Sequence, residues 1–114
     1  MNLNDYQKQA MTTCMPSSGN FSYMFLNLVG EVGEFASKIA KALRKSEAAI
    51  LHNGLVQLSE NNEELQKEAG DILWQLSGLC TVMGWNLEDI ARQNLEKLAS
   101  RQRRNVIDGS GDNR

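Results

Sequence analysis

The sequence has 114 residues, 41% hydrophobic and 23% charged, so it fits one globular domain with one core and excludes a two-domain chain. A formal net charge of −2 and an isoelectric point near 5.4 argue against binding nucleic acid through a general positive field. The two cysteines, Cys14 and Cys80, exclude a disulfide scaffold, and the lack of a signal core or of about 18 consecutive apolar residues predicts a cytoplasmic protein with no membrane partner.

The first part of the chain predicts two helices separated by a loop. Residues 3 to about 14 carry one apolar stripe, and the proline, glycine and asparagine that follow place a loop at 15–20. From residue 21 to about 45, apolar residues recur at steps of three and four, as on one face of a six-turn helix. These residues are Phe25, Leu28, Val29, Val32, Phe35, Ala36, Ile39 and Leu43. The other face carries Asn27, Glu31, Glu34, Lys38 and Lys41.

The middle of the chain predicts a connection followed by a third helix. Residues 46–62 have no clear period, so we expect an irregular connection with a short helical turn near 48–51 and an exposed loop histidine, His52. The third helix is expected at about 62–83, with an acidic and amide edge beside its apolar stripe. That edge consists of Glu64, Glu68, Asp71 and Gln75.

The last helix is expected at about 87–104, with Asn86 as its N-cap and Asp89 in the position of a capping-box acid. Its polar, mostly basic stripe consists of Asn94, Lys97, Arg101 and Arg104. A flexible tail follows at about 106–114, although its Gly-Ser-Gly stretch is also suited to wrapping an anion with backbone N–H groups. Residues 1–114 together predict a single all-α domain, a bundle of four or five helices.

Two acidic pairs carry the chemistry of the sequence. Glu31 and Glu34 lie at i, i+3 on one helix, and Glu68 and Asp71 lie at i, i+3 on the next, so each pair projects from one side of its helix. If the two sides face one another, four carboxylates converge on a site of the size of a divalent ion. Like charges that close repel unless a cation lies among them, which predicts a magnesium site.

The basic stripe supplies the complementary charge. Lys97 and Arg101 would neutralise phosphate oxygens while the carboxylates hold Mg²⁺. A nucleotide polyphosphate is therefore the natural substrate class.

Each pattern also has a structural explanation. A single E-x-x-E or E-x-x-D is most often a solvated helix face, and the basic stripe is compatible with surface salt bridges to Glu96 and Asp89. The alternative function is then a non-catalytic helical interaction module whose acidic face docks a basic protein. A phosphohydrolase of another pyrophosphate-containing metabolite would share the metal site and differ in its base pocket.

Several segments resemble the MazG-type all-α nucleoside triphosphate pyrophosphatases, which are related to dimeric dUTPases and dCTP pyrophosphatases. The resemblance covers about residues 21–112 and rests on GEVGEFASKIAKALRK, on ELQKEAGDILWQLSGLCTVMGWNLEDIARQNLEKLASRQRR and on the closing DGSGDNR. It implies hydrolysis of (deoxy)nucleoside triphosphates between the α and β phosphates, as in house-cleaning of the nucleotide pool. Small bundles of long amphipathic helices often leave a second apolar surface, which predicts a homodimer or a homotetramer.

The resemblance assigns roles to individual residues. Mg²⁺, with Mn²⁺ as a possible substitute, would be held by Glu31, Glu34, Glu68 and Asp71. One of these carboxylates, or the ion that they hold, would activate the attacking water. The polar positions expected to contact phosphates are Lys38, Asn94, Lys97 and Arg101. Trp74 is expected to stack on a base or to pack at a subunit contact, and Tyr6 and Phe21 are further candidates for base contacts.

The chain departs from the family pattern at one place. The spacer between Glu34 and Glu68 is longer than usual because of residues 46–62. The shape of the pocket rim and the base preference therefore do not carry over from the resemblance.

Overall fold

The computed structural model describes residues 1–58 and 62–114 of the chain. Helices form most of it, and a two-stranded hairpin joins the second helix to the third. In chain order the elements are α1 (Leu3–Met11), a 3₁₀ turn (Pro16–Ser18), α2 (Phe21–Arg44), β1 (Ala48–Ile50), β2 (Val56–Leu58), α3 (Asn62–Val82) and α4 (Leu87–Arg103). The predicted all-α class is confirmed, and the predicted starts of α2 and α4 agree with the structure.

Asparagine side chains cap three of these helices. Asn2, Asn20 and Asn86 each accept a hydrogen bond from a backbone N–H in the first turn that follows. The predicted cap at Asn86 is therefore present. The capping-box bond expected from Asp89 is replaced by an ion pair, in which the Asp89 carboxylate lies 2.7 Å from Nη1 of Arg92.

The segment after α2 differs from the irregular connection predicted for 46–62. Where a helical turn was expected near 48–51, β1 pairs antiparallel with β2, and Ile50 lies opposite Val56. Asn53 and Gly54 form the turn, in which Gly54 has a φ of 84°; an Asn-Gly pair is a typical hairpin turn. His52 lies exposed in this turn, as predicted. Residues 59–61 of the predicted connection lie outside the described residues.

Packing of α2 against α3 forms the centre of the molecule. The Met24 side chain is fully buried and lies directly over Gly78 of α3, where an added Cβ would collide with the Met24 sulfur. A larger residue at position 78 would therefore force the Met24 side chain to move. Cys80 and Leu87 are also buried, and burial raises the pKa of the Cys80 thiol.

Hydrogen bonds attach α1 to α3 and to the start of α4. The Gln7 amide donates to the Thr81 hydroxyl and to the carbonyl of Trp85, and its oxygen accepts from the N–H of Leu87. The Trp74 indole N–H donates to the carbonyl of Ala10 at 3.1 Å. These bonds fix α1 across the end of the α2–α3 pair.

One apolar face of α2 has no neighbour in the described chain. Phe21 and Phe25 stack on one another at 5.6 Å between ring centroids, yet both rings are about half exposed, as are Val29 and Val32. Leu26 is more exposed still. Within the described residues, no helix is both long enough and apolar enough to span a bilayer.

The tail predicted to be flexible at 106–114 has defined contacts in the structure. The Arg114 guanidinium donates to the backbone carbonyls of Val106, Ile107 and Gly111. The Arg104 guanidinium, at the end of α4, donates to the carbonyl of Arg114 at 2.8 Å. The tail thus folds back on itself and returns to α4.

Candidate functional site

Three of the four predicted metal-site carboxylates meet between α2 and α3. Glu31 of α2 and Glu68 and Asp71 of α3 each offer a carboxylate oxygen, and these three oxygens lie within 4.8 Å of one another. Helical spacing places Glu68 and Asp71 on one side of α3, and the packing of α2 along α3 brings Glu31 to them. We refer to Glu31, Glu68 and Asp71 as the acidic cluster.

The pKa of Glu31 is changed by its position in the acidic cluster. Partial burial, followed by the charges of Asp71, Glu68 and Glu34, raises the pKa of Glu31 above its ordinary value, and a hydrogen bond with Glu68 acts in the same direction. The cluster therefore favours a proton or a cation between its carboxylates.

The donor set fits a hard divalent cation. Mg²⁺ takes oxygen ligands at about 2.1 Å, so two oxygens on the same ion lie at most about 4.2 Å apart. The upper bound of 4.8 Å on the separations in the acidic cluster lies close to this limit. Carboxylates that converge from two rigid helices are also a common way to hold such ions in a helical bundle.

Glu34, the fourth predicted ligand, lies outside the acidic cluster. Its side chain is exposed, one turn beyond Glu31 on α2. It is nevertheless close enough to contribute to the raised pKa of Glu31. Glu34 therefore lies at the rim of the site.

Lys38 is the cation that the structure places against the acidic cluster. Its Nζ lies 2.8 Å from Oε1 of Glu68 and 3.6 Å from Oε2 of Glu64. The hydrogen bond to Glu68 raises the pKa of Lys38. The side chain predicted to contact phosphate thus pairs with a predicted metal ligand.

The polar stripe of α4 finds its partner in the tail. Lys97 and Arg101 both pair with the Asp112 carboxylate, at 3.2 Å and 3.0 Å, instead of with Glu96 or Asp89 as the salt-bridge explanation suggested. Asn94 and Lys97 line a groove of about 270 Å³ on the same helix. Among the hydrogen bonds and ion pairs of the described residues, none links this stripe to the acidic cluster.

Trp74 belongs to the α1–α3 contact in this structure. Its indole N–H donates to the carbonyl of Ala10 and, at 3.0 Å, to the hydroxyl of Thr13. Both contacts lie within one chain, so the role of Trp74 in this structure is to hold α1 against α3. Stacking of Trp74 on a base stays a prediction.

Two features at or near these sites were weak or missing in the sequence. Tyr6 lies close enough to the cluster that burial and then the charge of Asp71 raise the pKa of its hydroxyl; the apolar stripe of α1 gave no sign of this contact. Asp112 was not singled out because its partners are fixed only by the return of the tail to α4. An acidic residue within the Gly-Ser-Gly-Asp tail was the available signal.

Comparisons with known proteins identify relatives of the chain. A family model for the MazG nucleotide pyrophosphohydrolase domain matches residues 20–106. The chain is also similar to the Gene 37 protein of Mycobacterium phage L5, at 38% identity over 121 aligned residues that cover 100% of both chains. No solved structure matches at a significant level. The segment matched by the family model contains the acidic cluster and the basic stripe, and it ends before Asp112.

Proposed function

The chain belongs to the MazG nucleotide pyrophosphohydrolase family, and on that premise we propose that it is a Mg²⁺-dependent nucleoside triphosphate pyrophosphatase. It cleaves (deoxy)nucleoside triphosphates between the α and β phosphates and releases a nucleoside monophosphate and pyrophosphate. The observation that carries the proposal is the convergence of three carboxylate oxygens from α2 and α3 within 4.8 Å. Pyrophosphate release from a panel of nucleotides, with and without Mg²⁺, tests it.

The carboxylates have two tasks in this proposal. Glu31, Glu68 and Asp71 would hold Mg²⁺, with Glu34 as a further ligand at the rim of the site. When bound, the ion would supply neutralisation of phosphate charge. A carboxylate of the site accepts the proton of the attacking water as the water oxygen bonds to the reacting phosphorus. The bond from that phosphorus to the α–β bridging oxygen breaks, which releases the monophosphate and pyrophosphate.

Basic side chains balance the charge of the triphosphate. Lys38 is 39% exposed, and its long side chain exchanges Glu68 for a phosphate oxygen once the carboxylate turns to the metal. The α4 residues Asn94, Lys97 and Arg101 offer an amide and two cations along one helix. Trp74 remains the candidate for stacking on the base.

A second copy of the chain completes the fold in this proposal. The chain has a radius of gyration of 17.3 Å, whereas a compact domain of this length has about 13 Å. The exposed face formed by Phe21, Phe25, Val29 and Val32 is a contiguous apolar surface of the kind that marks a subunit contact. We therefore propose a homodimer, or a homotetramer formed from two dimers.

The cellular role that fits this activity is house-cleaning of the nucleotide pool in the cytoplasm. Hydrolysis to the monophosphate removes a surplus or non-standard triphosphate before a polymerase can use it. The acidic cluster acts on the phosphates, which all nucleotides share. Base and sugar preference therefore depends on residues beyond the cluster.

A further inference from the structure

The C-terminal tail places a carboxylate where the proposed function requires a phosphate. Asp112 Oδ1 lies 3.0 Å from Nη2 of Arg101 and 3.2 Å from Nζ of Lys97. The same Arg101 nitrogen also donates to the backbone carbonyls of Asp112 at 3.3 Å and of Gly111 at 3.5 Å. One carboxylate and two carbonyls of the tail thus surround this end of the basic stripe.

Arg101 has donor capacity that the tail does not use. Its side chain is only 5% exposed, and its buried Nε has no hydrogen-bond partner among the described residues. A guanidinium has five N–H donors, and a buried one is costly unless several of them find oxygen. A phosphate group, with three terminal oxygens, satisfies such a donor set better than the single carboxylate of Asp112.

A groove on α4 shares Lys97 with this ion pair. It is lined by Ile90, Gln93, Asn94 and Lys97 and has a volume of about 270 Å³, enough for a pyrophosphate group. Lys97 belongs both to this groove and to the ion pair with Asp112. An anion in the groove and the Asp112 carboxylate therefore compete for one ammonium group.

The tail is built to present Asp112 and also to release it. Arg114 ties the tail into a loop through three backbone carbonyls. Its side chain passes close to Gly109, where an added Cβ would lie 2.5 Å from Cδ of Arg114. The Asp112 side chain itself is 83% exposed. Its ion pair with Lys97, whose side chain is 40% exposed, is therefore weak and exchanges readily with dissolved anions.

We propose that the tail is an autoinhibitory strap, in which Asp112 occupies the phosphate position of Lys97 and Arg101 and must be displaced when a pyrophosphate or triphosphate group binds. This inference rests on the proposed function in assigning these two cations to phosphate. The apparent affinity for the anion is then the intrinsic affinity multiplied by the fraction of molecules with the strap released. The strap therefore raises the anion concentration needed for half-saturation by the same factor.

Binding of inorganic pyrophosphate to the full chain tests the strap without any turnover. Isothermal titration calorimetry compares the wild type with Asp112→Asn and with Asp108→Asn, which makes the same change of charge in the same tail. Asp108 forms no ion pair in the described part of the chain. We expect Asp112→Asn to bind pyrophosphate about two- to fivefold more tightly, the range of one exposed ion pair, and Asp108→Asn to match the wild type.

Two further variants locate the effect. Arg114→Ala unties the loop that presents Asp112, so it tightens binding in the same direction as Asp112→Asn. The gain from Asp112→Asn disappears in a Lys97→Ala background, because the competition takes place at that ammonium group. Weaker or unchanged binding by Asp112→Asn would overturn the proposal, since it would mean that the tail supports the anion site or is unrelated to it.

These binding experiments distinguish a failure of the strap proposal from a failure of the proposed enzymatic function. If Asp112→Asn tightens pyrophosphate binding but no nucleotide is hydrolysed, the strap stands and the enzymatic proposal fails. If nucleotides are hydrolysed but neither protein binds pyrophosphate at the basic stripe, the strap is wrong and the enzymatic proposal stands.

Discussion

Lys38 on α2 reaches across to α3, where its Nζ lies 2.8 Å from Oε1 of Glu68. This ion pair connects a residue predicted to contact phosphate with a residue predicted to bind metal. Lys38 and Mg²⁺ therefore compete for the same carboxylate in the protein without substrate. The competition gives Lys38 opposite effects on the two ligands.

We predict that Lys38→Met strengthens Mg²⁺ binding and weakens nucleotide binding. Loss of the ammonium group frees Glu68 for the metal and removes a charged contact to phosphate, which raises the KM for nucleotide roughly tenfold. Calorimetry with Mg²⁺ and steady-state kinetics measure the two effects. Lys41→Met, on an exposed position of the next turn, is the matched control. If Lys38→Met changed the Mg²⁺ affinity and the nucleotide affinity in the same direction, the competition of Lys38 and Mg²⁺ for Glu68 would be contradicted.

Asp71→Asn should remove metal binding while the fold remains. The substitution keeps the size of the side chain, removes a charged ligand and relieves repulsion inside the acidic cluster, so stability stays the same or rises. We expect Mg²⁺ affinity to fall by at least about tenfold in calorimetry. Glu63→Gln removes a charge from an exposed position of the same helix and should leave the affinity unchanged. Indifference of both variants to metal would favour the alternative of an acidic docking module.

The stability of the metal-free protein should depend on the protonation of Glu31. Burial, followed by the charges of Asp71 and Glu68, raises the pKa of Glu31 above its ordinary value of 4.5. Between the ordinary and the raised pKa, the folded protein holds a proton that the unfolded chain has lost, so stability decreases as pH rises through this interval. Glu31→Gln cannot lose that proton and should be more stable than the wild type at neutral pH.

Urea unfolding with a chelator, over a series of pH values, measures this difference. The free energy of unfolding of Glu31→Gln should vary less with pH than that of the wild type, and Glu63→Gln should follow the wild type. Identical curves for the wild type and Glu31→Gln would contradict a raised pKa of Glu31 in the folded protein.

The exposed face of α2 predicts the effect of a charge on oligomeric state. Val29 is 57% exposed within one chain, and a glutamate there would bury an unpaired charge at the proposed subunit contact. We expect Val29→Glu to run as a monomer in size-exclusion chromatography with light scattering. Ser37→Glu, on a polar exposed position of the same helix, should keep the wild-type mass. A monomeric wild type would contradict the proposed oligomer.

Helical periodicity made most of the fold predictable. Long amphipathic stretches predicted α2, α3 and α4, and Asn86 was predicted as the cap of α4. The i, i+3 spacing put Glu68 and Asp71 on one side of α3. The hairpin was missed because strands of three residues carry too little period to recognise. Its turn signal, Asn53 and Gly54, lies inside the segment that was expected to be an irregular connection.

Contacts between distant segments could not be predicted from the sequence. Pairing of Lys38 with Glu68 depends on the rotation of α2 against α3 around Met24 and Gly78. Pairing of Lys97 and Arg101 with Asp112 depends on the path of the tail. Spacing shows which side chains share a face, but the partner on a facing segment is a property of the packed chain.

The most direct test of the central claim is pyrophosphate release from a panel of ribo- and deoxyribonucleoside triphosphates, measured for the wild type and Asp71→Asn with and without Mg²⁺. We predict release of pyrophosphate and the matching monophosphate from at least one nucleotide by the wild type with Mg²⁺, and a rate at least about a hundredfold lower for folded Asp71→Asn. Hydrolysis that continues in Asp71→Asn, or a folded wild type that hydrolyses no nucleotide with Mg²⁺ present, would contradict the assignment of catalysis to the acidic cluster.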